Sequence, residues 1–558
     1  LIKIKQKSFS GSKFILNIET VKGKIQTHLG HLSTAKSELE KTIEVYDQLV
    51  KDHPDLPNYA ANLAGAYADL GRAMWILGQN DDAIDQYNKS IVIKQQLVKD
   101  HPKIPEYASG LVASYINLGI TLNHRGKTEE AIQLYNKAIL IYVQLAKDDR
   151  NMIQHAPGFA HCYQNLGNAF VELGKQEDAI KFYNKAIAIR EQLVKAQPEV
   201  LEHGLRLALS YNNLALILRD AGKTDEAIKF YNKATRITEQ LVMAHPDVPR
   251  YASNLAQTYN NLALDLRSLR RFDEAITTFN KTIVIQEQLV KDHPEVPDYV
   301  ANLTSTYTNL ANTLFRLQNF DKAMQFFNKA TVLEERLVKG HPDVPKYANS
   351  LLKTKFSSAT LEEYRSQYSE AIRHYESSLP ILKSLKSKGQ LQRQLAGTEQ
   401  RIEQGLTRCR TATRAVEDLA FLLAQPPAQA AKLLYIRGQA QLDQNDHAGT
   451  AESGEKLAEL KVPDDQAAAR AGNLYNAACL LSLASGAAAK DEDLAETERV
   501  EVAGKYATQA ITTLLESRSL GFFKDPESVA HINNDADLDP LRDRDDFKQF
   551  IKELEAGQ

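Results

Sequence analysis

Apolar residues recur along most of the chain at the spacing of one face of an α-helix. Between positions 63 and 77 they follow the i, i+3, i+4, i+7 pattern of an amphipathic helix: Leu63, Tyr67, Leu70, Met74 and Leu77. The polar stretch GQNDD at 78–82 interrupts this pattern, and a second helical pattern follows at Ile84, Tyr87, Ile91 and Val98. The two patterns predict a helical hairpin whose helices have about 20 residues each, roughly 30 Å.

The hairpin pattern repeats every 48 residues. An Ala-Ile or Ala-Met pair returns at that interval at Ala83, Ala131, Ala179, Ala227, Ala275, Ala323 and Ala371. A His-Pro pair keeps the same interval at His53, His101, His245, His293 and His341. One hairpin cannot bury its own apolar stripe, so repeats of this length stack on one another. The sequence therefore predicts an all-α fold, an α-solenoid of stacked antiparallel helical hairpins.

Proline and acidic residues mark the expected helix ends. Pro57 stands where the first helix would begin, and its missing N–H is harmless there. Pro102 follows the end of the second helix and prevents the helix from continuing. Asp81 and Asp82 fall in the first turn of the second helix, where the helix dipole favours negative charge. These residues predict the same boundaries as the apolar pattern.

The repeated motif resembles the tetratricopeptide repeat. The stretch YINLG…RGKTEEAIQLYNKA at 115–138 has the family's aromatic, Leu-Gly, turn glycine, alanine and second aromatic, and it returns at 163–186, 211–234, 259–282 and 307–330. The unit is longer than the usual ~34 residues and lacks the proline that closes the second helix in the family. In length it is similar to the repeats of kinesin light chains and of bacterial regulatory arrays. The resemblance implies a right-handed superhelix whose first helices line a concave groove.

The repeats suggest a division of the chain into four regions. We expect an N-terminal cap or incomplete first repeat at 1–32, about seven extended units at 33–388, a helical linker at 389–430, and a C-terminal helical region at 431–558. The last region would hold a degenerate hairpin at 433–460 and a closing helix with Phe547 and Phe550 turned inward. The segment 535–554 resembles the end of the repeat regions attached to bacterial serine/threonine kinases. Because the chain opens on Leu1, we expect it to be a fragment or a processed product.

Composition and charge exclude several kinds of partner. Lys plus Arg number 68 and Asp plus Glu 71, so the near-zero net charge gives no reason to expect binding to nucleic acid. No apolar run approaches the ~20 residues of a membrane span, and the interpretation is a cytoplasmic protein unless an anchor precedes Leu1. Three scattered cysteines predict reduced thiols rather than a disulfide framework or a zinc site: Cys162, Cys409 and Cys479.

The sequence carries no catalytic or cofactor-binding signature. It has no phosphate-binding loop, no dinucleotide-binding glycine motif, no HExxH, and none of the kinase motifs HRD and DFG. The recurring histidines are too far apart to share one metal ion, and we expect each to cover carbonyls at a helix C-terminus. The tyrosines of the YNK motif are interpreted as packing residues rather than a platform for bases. We expect neither enzymatic activity nor a metal or cofactor.

One polar position of the first helix stands out as a candidate binding site. Two residues after the motif aromatic come Asp69, then Asn117, Asn165, Asn213, Asn261 and Asn309. The same helical face adds Arg72, Asn168, Asn312 and Arg316, and Arg219 and Arg267 follow on their helices. The resemblance implies that asparagines there bind the backbone of an extended peptide, since an amide both donates and accepts hydrogen bonds. The arginines would favour an acidic or phosphorylated ligand.

The sequence is compatible with more than one role for the asparagines and for the chain. The asparagines could bridge neighbouring helices instead of contacting a ligand, and the two roles are compatible. The leading hypothesis is a non-catalytic scaffold that binds a partner protein, peptide or helix in the groove. A second is the regulatory region of a serine/threonine kinase whose catalytic domain lies upstream, and a third is self-association through exposed solenoid ends.

Overall fold

The computed structural model describes residues 29–145 and 149–556, and these residues form α-helices joined by short turns. Residues 1–28 of the expected N-terminal cap lie outside this description. The described residues divide into two compact units, with the boundary in the sequence between Tyr299 and Val300. None of the helices in the described ranges is both long and apolar enough to cross a lipid bilayer.

The first unit is a series of antiparallel hairpins that follows helix α1 (Leu29–Asp52). Each second helix packs on its own first helix, and α3, α5, α7 and α9 also pack on the first helix of the next hairpin, which confirms the predicted stacking. The hairpins are α2 (Pro57–Ile76) with α3 (Asn80–Asp100), α4 (Pro105–His124) with α5 (Thr128–Leu145), α6 (Asp149–Glu172) with α7 (Gln176–Ala196), α8 (Leu201–Asp220) with α9 (Thr224–Ala244), and α10 (Pro249–Ser268) with α11 (Phe272–Asp292).

The second unit continues in the same manner. Its helices are α12 (Pro297–Arg316, which crosses the boundary), α13 (Phe320–Gly340), α14 (Pro345–Tyr364), α15 (Tyr368–Ser387), α16 (Thr398–Glu417), α17 (Leu419–Leu423), α18 (Pro427–Asp443), α19 (His447–Glu459), α20 (Ala467–Ala488), α21 (Glu496–Ser519), α22 (Pro526–Asn534) and α23 (Asp545–Ala556). Helices α18 and α19 pack together as the hairpin predicted at 433–460. In α23, Phe547 and Phe550 are buried and Lys548 is exposed, as the sequence predicts for a closing helix.

Five joints between consecutive helices share one arrangement at the His-Pro pair, which recurs on the 48-residue grid. The His101 N–H donates to the Leu97 carbonyl at 2.9 Å, and the Ile104 N–H donates to the His101 carbonyl at 3.1 Å. The imidazole of His101 packs edge-on against Tyr107 of the next helix, with 5.9 Å between ring centroids. The histidine does lie at a helix C-terminus, but its backbone makes the cap and its ring contacts a tyrosine. The same ring pair recurs as His53–Tyr59, His245–Tyr251, His293–Tyr299 and His341–Tyr347.

The YNK motif ties the two helices of a hairpin together. The ring of Tyr135 is 1 % exposed and lies so close to Gly119 that a Cβ there would meet it at 2.5 Å. The motif lysine, Lys137, reaches over the ring of Tyr115 on the first helix, with 6.0 Å from Nζ to the ring centroid. The lysine contact recurs as Lys89–Tyr67, Lys185–Tyr163, Lys233–Tyr211, Lys281–Tyr259 and Lys329–Tyr307. The motif therefore acts through packing, as the sequence predicts.

The turn inside each hairpin requires a left-handed backbone at one position. Glycine supplies it in four hairpins, at Gly78, Gly126, Gly174 and Gly222. Arg270, Gln318 and Ser366 occupy the same repeat position with φ of 60°, 58° and 60°. A residue with a Cβ is strained in this conformation by about 1 kcal/mol. The last three turns are therefore less stable than the first four.

We predict that Arg270→Gly raises the urea midpoint of unfolding, because glycine relieves the strain at φ 60° and gains up to ~1 kcal/mol. Gly222→Ala is the reciprocal variant: a Cβ would have open space there, so a lower midpoint would report backbone strain alone. Circular dichroism in urea measures both. A lower midpoint for Arg270→Gly would contradict the assignment.

Candidate functional site

The asparagines predicted to contact a ligand lie on the first helices and are largely covered. Asn117, Asn213 and Asn261 are half-buried, whereas Asn165 and Asn309 are only 7 % and 9 % exposed. A polar side chain that is covered in this way must find partners inside the protein. The hydrogen bonds of these side chains therefore decide which role each can have.

Two neighbouring first helices are linked by asparagine amides. Asn261 on α10 donates from Nδ2 to the Oδ1 atom of Asn212 on α8 at 3.1 Å. Asn212 in turn donates to Oδ1 of the adjacent Asn213 at 3.4 Å. Asn212 is itself only 5 % exposed. The bridging role considered from the sequence thus holds for Asn261.

The amide network continues into the preceding hairpin through a buried tyrosine. The Tyr183 hydroxyl on α7 donates to the Oδ1 atom of Asn168 on α6. Burial raises the pKa of Tyr183 to about 12, and a hydrogen bond from Asn213 opposes that rise. The structure thereby joins Asn168, Asn213 and Asn261 in one network across α6, α7, α8 and α10. Sequence reasoning missed the bridging residue Asn212, although the doubled asparagine at 212–213 was a visible signal.

The remaining asparagines have separate surroundings. Asn165 is buried, and its Nδ2 atom donates to no atom among the described residues. In the second unit, Asn312 donates to the Thr308 carbonyl of its own helix at 2.8 Å. Asn117 is half-buried on α4. These positions do not form one continuous row of equivalent contacts.

The arginines of the candidate site differ in how far their charge is neutralised. Arg72 pairs with Asp69 on the same helix at 2.6 Å, and both side chains are largely buried. Arg267 is half-buried near the end of α10. Arg316 is exposed near the end of α12. An acidic ligand would therefore meet the most accessible charge at Arg316.

Arg219 faces a buried carboxylate. Its guanidinium lies 3.0 Å from Asp220 and 3.7 Å from Asp265 on the neighbouring first helix. Asp265 is fully buried, and neither of its carboxylate oxygens has a hydrogen-bond partner in the described part of the chain. Burial raises the pKa of Asp265 to about 6, while the Arg219 charge opposes the rise. The carboxyl group of Asp265 beside Arg219 therefore changes from neutral to negatively charged as the pH rises from 5 to 7.

A second polar position was missed by sequence reasoning. It lies on the second helices, where the side chains of Lys94, Arg190 and Glu334 each contact a serine on the next first helix. Lys94 donates to Ser114 Oγ at 2.8 Å, and Glu334 accepts from Ser350 Oγ at 2.5 Å. Burial raises the pKa of Glu334 to about 7. The 48-residue grid would have identified the position, since its residues are Lys94, Tyr142, Arg190, Thr238, Gln286 and Glu334.

The cysteines are free and buried, as predicted. Burial raises the pKa of Cys162 and of Cys409 to about 12, which keeps these thiols protonated and unreactive. Cys479 lies with Asp535 and Asp537 in a group whose potential ligand atoms are all within 4.8 Å of one another. Tyr475 donates to Asp535 at 2.6 Å and occupies that carboxylate. This group anchors the closing segment to α20.

Tyr435 of α18 makes the matching contact to Asp537 at 2.9 Å. The same tyrosine lines a cavity of about 560 Å³ between α18 and α20, together with Lys432, Asn473 and Asn476. This part of the second unit therefore offers amides and a cation in a recess between first helices of successive hairpins.

Asp265 gives the first unit a testable pH dependence. The folded-state pKa of about 6 lies above the ordinary value of 3.8, so the folded protein holds this proton more tightly than the unfolded chain. Stability should fall as pH rises from about 4 to 6, with a penalty on the order of 2 kcal/mol fully present at pH 7. We predict that Asp265→Asn removes this fall in the free energy of unfolding with rising pH.

Urea midpoints of the parent and of Asp265→Asn at pH 4.5 and 7 measure the effect. The exposed Asp225 provides the matched control, because Asp225→Asn should leave the pH dependence unchanged. An identical pH dependence in the parent and in Asp265→Asn would show that Asp265 ionises normally.

Comparisons with known proteins identify the repeats. Residues 110–192 and 254–331 match one family model of the tetratricopeptide repeat, and residues 208–241 match another. No curated protein matches the chain. Among solved structures, the chain is similar to BtubC from P. vanneervenii, with 22 % identity, 47 % of this chain and 91 % of that chain covered, and a TM-score of 0.37.

Two further solved structures are similar to this chain at low sequence identity. The apo form of RapI matches with 12 % identity over 82 % of this chain and 99 % of that one, at a TM-score of 0.42. PilF of Pseudomonas aeruginosa matches with 19 % identity over 47 % of this chain and 99 % of that one, at a TM-score of 0.29. At these identities the similarity concerns the helical fold alone.

Proposed function

We propose that this chain, in which residues 110–192, 208–241 and 254–331 match models of the tetratricopeptide repeat, is a non-catalytic scaffold that holds a partner peptide or helix against its first helices. The observation that carries the proposal is the amide network of Asn168, Asn213 and Asn261. An asparagine side chain has two donors and an acceptor with two lone pairs, so a single bridging bond leaves capacity for a ligand. Bridging and ligand binding are then two uses of the same amides.

The network also supports binding because it fixes the amides before a ligand arrives. Asn168 is exposed, and Asn213 and Asn261 are half-buried, so part of each amide remains accessible. Side chains that are already ordered lose less conformational entropy on binding. Hydrogen bonds to a peptide main chain would each contribute about 0.5–1.5 kcal/mol net and would depend little on the peptide sequence.

Apolar and charged groups would supply the specificity. Leu216 and Leu264 are half-buried on the same first helices as Asn213 and Asn261 and offer apolar area to a partner. In the second unit, Phe315 packs against Tyr364, whose side chain is 60 % exposed. The exposed Arg316 near this pair favours an acidic or phosphorylated group, because a guanidinium binds such groups through two hydrogen bonds.

The test is a double substitution in the full chain. A peptide selected from a display library against the parent protein should bind the Asn213→Ala, Asn261→Ala variant at least tenfold more weakly, because two main-chain contacts are lost. Fluorescence anisotropy measures the affinity, and circular dichroism checks that helicity is unchanged.

A matched control carries the same chemical change on the second helices. Asn232 on α9 and Asn280 on α11 are exposed, and the double change Asn232→Ala, Asn280→Ala should leave the affinity unaltered. Equal loss in both double variants, or no loss in either, would place the binding site away from the amide network.

A further inference from the structure

A positive charge is buried in α7 without a carboxylate beside it. Arg190 is 6 % exposed, and its Nη1 atom donates to Ser210 Oγ on α8. The Ser210 hydroxyl in turn donates to the Arg206 carbonyl at 2.7 Å. Among the side chains that the structure describes, which leave out those of residues 146–152, the guanidinium makes no ion pair and no other hydrogen bond. A buried charge without a counter-charge is strongly unfavourable.

Arg190 cannot escape this cost by losing its proton. Burial, together with the charge of Arg206, lowers the pKa of Arg190 to about 10, which still leaves it charged at neutral pH. The folded protein therefore keeps a permanent cation in its interior.

Arg190 lines a partly open cavity of about 370 Å³ formed by residues of α6, α7 and α8. A water molecule takes up about 30 Å³ of liquid, so the cavity has room for a small hydrated ion. Five more polar side chains line this cavity. His161 and Gln164 belong to α6, and the other three belong to α8: Glu202, His203 and Arg206. Most of these side chains can donate hydrogen bonds.

The charges around the cavity do not balance. Glu202 is the carboxylate of the cavity wall, and it already pairs with Arg206 at 2.6 Å and with Arg250 at 3.3 Å. Within the cavity wall, two arginines, Arg190 and Arg206, therefore face one carboxylate. The local field in the cavity is therefore positive and attracts an anion.

The other repeats show that stacking does not require a cation here. Thr238 and Gln286 occupy the same grid position as Arg190 and are buried without charge. Lys94 has the same position in the first hairpin, but the carboxylate of Asp69 lies near enough to favour its charged form. Arg190 thus repeats the serine contact of Lys94, but no carboxylate among the described side chains favours its charge.

We propose that the cavity between α6, α7 and α8 binds a small oxyanion, a phosphate or carboxylate group that compensates the charge of Arg190. The guanidinium would donate to two oxygens of the anion. Arg206, which also pairs with Glu202, would contribute a further donor from α8, and His203 would contribute the ring nitrogen that does not contact Gln197. This site shares no residue with the amide network, so either proposal can fail without the other.

Isothermal titration of the full chain with inorganic phosphate tests the proposal, with succinate as the carboxylate probe and sodium chloride holding the ionic strength constant. We expect submillimolar binding of at least one probe, and the one that binds identifies the anion. Arg190→Met should abolish that binding while leaving the anion-free protein at least as stable, because an apolar residue replaces an unpaired buried charge. If Arg190 served packing alone, Arg190→Met would not abolish anion binding while preserving stability.

Two variants complete the design. Lys94→Met makes the same change at the same grid position outside the cavity and should keep the parent affinity. Arg206→Gln removes a half-exposed cavity cation, leaves folding intact, and should weaken binding at least fivefold. No binding of either probe to the parent, or unchanged affinity in Arg190→Met or in Arg206→Gln, would overturn the site; if Arg190→Met does not fold, Arg206→Gln decides.

Discussion

The packing of a fully buried aromatic ring against a small residue on the facing helix is the contact on which each hairpin depends. Tyr135 against Gly119 and Tyr183 against Gly167 leave no room for a larger side chain, since a Cβ at either glycine would meet the ring within 2.5 Å. An aromatic ring buries a large apolar area in one contact, so this pair fixes how closely the two helices approach. The lysine above the first-helix tyrosine adds a second contact within the hairpin, and a histidine–tyrosine pair connects consecutive helices at five joints.

Because these contacts suffice for stacking, other interior positions are free to vary. The second-helix position that holds Lys94 in one hairpin holds Thr238 in another and Glu334 in a third, although the backbone arrangement is the same. Asparagines on the first helices vary in the same way. Asn261 bridges two helices, whereas the buried Nδ2 atom of Asn165 has no hydrogen-bond partner among the described residues. The repeat therefore separates residues that build the scaffold from residues that differ between hairpins.

Much of the fold was predictable because it rests on local signals. The prolines, the acidic first turns and the 48-residue period predict helix ends, and the structure places them as expected at Pro57, Asp81 and Pro102. The role of the histidines was only partly predictable, because a ring contact with a tyrosine six residues further on depends on how the chain turns between helices. The kinase resemblance of segment 535–554 and the proposed domain limits remain predictions.

The sequence by itself determined the class of fold and the positions that recur in each hairpin, since periodic apolar positions are buried when hairpins stack. The tertiary structure alone decided which polar groups meet. Asn212 and Asn261 are 49 positions apart, and Tyr183 and Asn213 are 30 apart, so no local pattern indicates their hydrogen bonds. The same holds for Arg190: the sequence shows an arginine in a helix, and only the packing of three helices shows that its charge is buried without a carboxylate. Burial and the pairing of charges depend on neighbours that are distant in sequence, and these decide where a ligand can bind.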